Sequence, residues 1–111
     1  MDFTVASSDL GRVAITEDAL AQIVRLTAAE CYGVVGMSPS RLRRLLGRSG
    51  IELAGADGTV SIAVHVVVEH GLNLAEVAST VRSQVAYEVT RLTGLEVTAV
   101  EVVIQRVRAS A

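Results

Sequence analysis

With 111 residues, half of them apolar, the chain can bury one core as a single domain without disulfides or metal. A formal charge of -2 and a sequence pI of about 5.6 exclude a global positive field for nucleic acid, and Phe3, Tyr32 and Tyr87 are a thin stock for stacking on bases or sugars. The single cysteine, Cys31, excludes an intramolecular disulfide and a cysteine-based metal cluster, in keeping with a reducing compartment.

Met1 to Leu10 has little periodicity and is expected to be a flexible N-terminal tail, with no apolar signal core. Gly11 to Ile15 alternates weakly, as a short edge strand or an extended lead-in. Thr16 then offers a hydroxyl as N-cap, Glu17 and Asp18 place negative charge at the positive helix end, and Ile15 and Leu20 hold the staple positions. Leu20, Ile23, Val24, Thr27, Ala28 and Cys31 recur at helical spacing, and Gly33 is expected to close the helix.

Val34 to Pro39 reads as a connector, because Pro39 lacks a donor and biases Ser38 away from helix. Arg41 to Gly47 is expected to form a short helical turn with Leu42, Leu45 and Leu46 on one face and Arg41, Arg43 and Arg44 on the other. Ile51–Ala54 and Thr59–Glu69 alternate around Gly55-Ala56-Asp57-Gly58, a hairpin with a four-residue loop. Asn73 and Glu76 form a capping-box-like pair at the head of a helix from about Leu74 to Thr93, whose stripe is Leu74, Val77, Ala78, Val81, Val85, Val89 and Leu92. A last strand, Glu96–Val107, follows Gly94. Two strands joined by a helix of that length are parallel neighbours, since the crossover must carry the chain back along the sheet.

The expected fold is α+β: a two-layer α-β-β-α-β sandwich with a small mixed sheet and two main helices packed on one face, residues 11–108 forming one domain. Val60, Ile62, Val64, Val66 and Val68 face the helices. The reverse face then carries Ala63, Val67, Val97, Ala99, Val103 and Val107 beside His65 and Glu101, which is unusually apolar for a surface. Self-association is expected there, with His65, Val67, Glu101 and Val103 as the candidate residues.

No catalytic constellation emerges. His65 and His70 fall in different environments, without metal-ligand spacing, and the carboxylates are scattered, so no metal, cofactor or enzymatic activity is expected. Cys31, at a helix C-terminus on the buried stripe, reads as core. Gly33-Val34-Val35-Gly36 matches the G-x-x-G loop of KH modules, leaving a nucleic-acid-binding alternative that the valines and acidic pI disfavour. Arg41, Arg43, Arg44 and Arg48 gather basic charge suited to an acidic protein patch, a phosphate or a membrane surface. No stretch is long enough for membrane insertion.

An ordered set of segments resembles the alkaline-shock-protein family of bacterial envelope stress proteins. It comprises Gly11-x-Val13-x-Ile15, Ala28-Ala29-Glu30-Cys31-Tyr32-Gly33-Val34, Val60-x-Ile62-x-Val64-x-Val66, Gly71-x-Asn73-Leu74-x-Glu76-Val77-Ala78, and Thr93-Gly94-Leu95-x-Val97-x-x-Val100-x-Val102. The resemblance spans about Leu10 to Val107. It implies a non-enzymatic cytoplasmic protein, peripheral at the inner face of the membrane, that associates with itself and with membrane-linked partners. An accessory role beside a lipid-metabolism enzyme is the second implication, and the family supplies no active-site residues to carry over.

Overall fold

Eleven residues of alternating pattern, Thr59–Glu69, form the strand on which the other sheet elements assemble. The computed structural model describes residues 2–37 and 50–109. In chain order the elements are β1 (Asp2–Ser8), β2 (Gly11–Thr16), α1 (Glu17–Glu30), β3 (Val34–Gly36), β4 (Ile51–Ala54), β5 (Thr59–Glu69), α2 (Leu74–Thr93) and β6 (Glu96–Arg108). Within β5, Val60, Val64, Val66 and Val68 are fully buried and Ile62 nearly so, because β-branched side chains pack well on a pleated surface. Antiparallel β4 and β3 lie along one edge of β5, pairing Ser61–Val64 and Val67–Val68 respectively. Parallel β6 runs along the other, as the helical crossover requires.

Both helices cover the same face of this four-stranded sheet. Thr16 Oγ1 accepts from Ala19 N–H at 3.1 Å and Asn73 Oδ1 from Glu76 N–H at 3.1 Å, so each helix starts at the expected cap. A cap is worth about 1 kcal/mol. Val77, Val81, Val85 and Val89 are each 5% exposed or less, and at roughly 1.5 kcal/mol or more per buried side chain they outweigh the cap in holding α2 to the sheet. At the far end Thr93 Oγ1 donates to Val89 O at 2.6 Å and accepts from Leu95 N–H at 3.1 Å, turning the chain into β6 with Leu95 buried.

Several expectations are corrected. The supposed flexible tail forms β1, paired antiparallel with β2 from Asp2↔Thr16 to Ser8↔Gly11 and anchored in the core by Phe3, the one aromatic side chain buried there. Periodicity missed it because one deeply buried residue leaves no alternating trace. The connector after α1 contains β3, an edge strand too short to show a pattern. Consequently Gly33–Gly36 is no open KH-type loop: Val34–Gly36 is tied to β5, and Gly33, at φ +91°, packs against Leu72 and Val77. Helix α1 ends at Glu30 with Cys31 as its cap, so Gly33 does not close the helix but sits in the tight turn that follows, closed by the Val34 N–H to Cys31 O bond. Leu74 and Leu92, assigned to the core stripe, stand outside it at 38% and 52% exposed, while Thr93 beside Leu92 takes the buried position at that end of α2.

Two register shifts in the β5–β6 ladder alter the expected faces. Val97 pairs with Val60 and Val107 with Val68, both on the helix side, since partners in a ladder share a face. The extra residues fall around Thr98 and Gln105, each reversing the alternation once. Val97 therefore packs against the core, and neither it nor Val107 belongs to the outer face.

Candidate docking surface

The outer face is built from residues of all four strands of the sheet. Ala63 stands beside Glu52 and Glu101, His65 beside Val103, and Val67 beside Gly36 and Arg106. The structure thus brings His65, Val67, Glu101 and Val103 onto one surface of adjacent strands. Their environments differ. Glu101 is exposed and His65 and Val103 are half-buried, whereas Val67 is only 6% exposed although it lies outside the main core cluster. Its position on the middle strand, flanked on both sides, accounts for this. Val67 is a floor of the surface rather than a projecting contact.

His65 is oriented by a side-chain bond: its Nδ1 lies 2.8 Å from Gln105 Oε1, and with the carboxamide oxygen as acceptor it is the imidazole N–H that donates. Gln105 reaches the outer face by the alternation that follows Val103, and the register shift there sets Arg106 on the same face. At the other end of the sheet, Ala54, Ser61, Ala63 and Ala99 line a shallow depression of about 300 Å³ bordered by Glu52 and Glu101. Small side chains there leave room for an incoming apolar group, and the acidic rim favours a partner that brings positive charge.

The helical layer has a second concavity. Between α1 and α2, Ile23, Leu26, Tyr32, Gln84, Glu88 and Leu92 line an open groove of about 540 Å³. Leu26 and Leu92 are more than half exposed. The sequence conceals this groove because Leu92 fits the helical stripe by spacing. Its wall carries the Glu88–Arg91 pair, with Nε to Oε1 at 3.1 Å and Nη2 to Oε2 at 2.8 Å; that bidentate hydrogen bonding holds Glu88 below the usual carboxylate range.

Cys31 beside the same groove is buried, and its Sγ meets Thr27 O at 3.5 Å. Burial, and secondarily the charge of Glu30, raise its thiol pKa, the opposite of nucleophile activation. Among the described residues no three His, Cys, Asp or Glu side chains gather so as to hold a metal ion. His65 and His70 fall at opposite settings, one on the sheet face and one in the turn after β5. The four arginines Arg41, Arg43, Arg44 and Arg48 lie outside the described residues. No helix among the described residues is long and apolar enough to cross a membrane.

The chain is similar in fold to solved structures of MamM CTD: one variant superposes with a TM-score of 0.55 at 11% identity, covering 86% of this chain and 100% of that chain. The manganese form of another variant gives 0.54 at 12% identity over the same shares. At such identity the likeness concerns the fold, α+β with a mixed sheet. In sequence, the chain is 28% identical over 107 residues to the uncharacterized protein YloU of Bacillus subtilis, covering 88% of this chain and 89% of the relative. It is 26% identical over 107 residues to the uncharacterized protein Spy1614 of Streptococcus pyogenes, covering 88% of each. A family model matches residues 5–109, nearly the whole domain including most of the N-terminal hairpin, and by that match the chain belongs to the alkaline shock protein 23 family, of cell envelope-related function.

Proposed function

We propose that this protein is a non-enzymatic interaction protein of the bacterial envelope stress response, one that associates with itself and docks on membrane-linked partners. The carrying observation is that, among the described residues, both helices pack on one face of the sheet, while His65, Val103, Ala63 and Ala99 form a partly apolar surface on the other. Self-association at His65, Glu101 and Val103, over a floor at Val67, removes that surface from water. The Arg41, Arg43, Arg44 and Arg48 cluster supplies the second contact, to an acidic protein at the inner face of the membrane, with the protein itself cytoplasmic and not inserted.

Sedimentation velocity of the wild type and of Val103→Lys tests the first contact. A wild type that is strictly monomeric at tens of micromolar, a typical range for transient interfaces, contradicts it. For the second contact, binding to native membranes or to anionic liposomes is expected to weaken when Arg41, Arg43 and Arg44 become serine, and unchanged binding removes the arginines from the account.

A further inference from the structure

Among the described residues, strand β6 is a free sheet edge. It runs for 13 residues without proline, and among the described residues it pairs with β5 alone. Native sheets blunt edges of that length with prolines, charges, bulges or a covering element, and of these β6 carries two bulges and the charges of Glu96, Glu101, Arg106 and Arg108. Here the element above β6 is α2, and on that side it presents the small residues Ala75, Ala78 and Ser79 beside the longer Arg82. They leave a groove of about 180 Å³ beside Val100 and Val102. Among the described residues the edge is therefore open in its backbone, with a groove in the layer above it.

The geometry points to a second copy of this chain as the occupant, paired antiparallel β6 to β6 about a two-fold axis at Val102. The argument is one of register. When Val102 faces its own copy, Val100 faces Ile104 and Val97 faces Val107, so every helix-side residue meets a helix-side residue. The two register shifts, around Thr98–Ala99 and Gln105–Arg106, also fall opposite each other, so the irregularities match rather than clash. Moving the axis by one residue either way sets Val97 or Val100 against an outer-face residue. A strand whose faces, bulges and centre are all self-complementary in one register meets the requirement of an isologous interface.

Charge agrees with that register. Glu96 of one copy lies opposite Arg108 and diagonal to Arg106 of the other, all on the outer face, and symmetry repeats the contact at the far end. Within one chain Glu96 and Arg106 are ten residues apart along a strand, about 33 Å, too far to interact. Arg106 is the better probe, since Arg108 already donates to Val35 O at 3.1 Å. The pairing fuses two four-stranded sheets into one and leaves the face bearing His65 and Val103 available on both copies. It rests on the self-association proposed above and adds an independent contact to it: an edge and a face together allow copies to extend beyond a pair.

The test uses cysteine cross-linking in full-length protein carrying Cys31→Ala. Val102→Cys is expected to form a disulfide-linked dimer under mild oxidation, because antiparallel partners stand about 4.5–5.5 Å apart at Cα. Val100→Cys is expected not to, its copies being about 13 Å apart. Independently, Glu96→Arg and Arg106→Glu should each weaken association about tenfold, and the double variant should restore it, with thermal melts checking that each folds. Cross-linking at both positions, or at neither while the wild type still sediments as an oligomer, overturns the edge pairing and leaves the face contact standing. A monomeric wild type overturns both.

Discussion

His65 and Gln105 are joined at 2.8 Å across the two longest strands of the sheet, on the side opposite the two described helices. Gln105 is the extra residue of the second register shift, so this bond fixes a bulge and a surface imidazole together. Removing the carboxamide with Gln105→Ala is expected to cost about 0.5–1 kcal/mol, the low end for a hydrogen bond because the pair is exposed. Urea unfolding checks it, and the loss should vanish in a His65→Ala background.

Gly33 and Gly58 both adopt positive φ, +91° and +77°, but a Cβ at Gly33 meets Leu72 Cδ1 at 2.8 Å and Val77 Cγ2 at 2.9 Å, whereas one at Gly58 meets nothing within 4 Å. Gly58→Ala should therefore cost only backbone strain, about 1 kcal/mol. Gly33→Ala adds overpacking at the head of α2 and should cost about 2–4 kcal/mol. Equal losses in denaturant titrations would contradict the packing.

The placement of leucines is open to the same measurement. Leu20 is fully buried under the sandwich, and Leu20→Ala is expected to cost about 2–5 kcal/mol. Leu92, 52% exposed at the helical groove, should cost less than about 1 kcal/mol.

Cys31 links pH to stability. With its thiol pKa raised in the folded protein, chiefly by burial, the unfolded chain loses the proton first as pH climbs past its ordinary value of about 8.5. Above that pH the unfolded state binds fewer protons than the native one, so stability falls with rising pH. Cys31→Ala should flatten the decline between the two values. At pH 8 native Cys31 should react with a thiol reagent at least about tenfold more slowly than in urea.

Much of this architecture is legible in the residues. The alternation of Val60 to Val68, the caps at Thr16 and Asn73 and the glycine after α2 each have one physical reading, and the parallel pairing of β5 and β6 follows from the crossover between them. The misreadings share a cause. Val97 and Val107 obey strict alternation on paper, but a bulge at each end of β6 reverses their faces, and only hydrogen bonding to β5 shows where a bulge falls. Strand β3 is hidden because three residues show no pattern of their own, and β1 because only Phe3 of its seven residues is buried. Of the candidate surface, the common face of His65 and Val103 is readable from parity, whereas their pairing and the burial of Val67 are not, since register and exposure depend on what lies beside a strand.

The most direct measurement of the central claim is sedimentation of the wild type against Val103→Lys at matched concentrations in the tens of micromolar, a span in which transient assemblies form. Self-association through the uncovered sheet face predicts a wild type heavier than one chain and a lower mean mass for Val103→Lys with an unchanged melting temperature. A wild type that sediments only as a monomer, or a Val103→Lys variant of the same mass as the wild type, would contradict it.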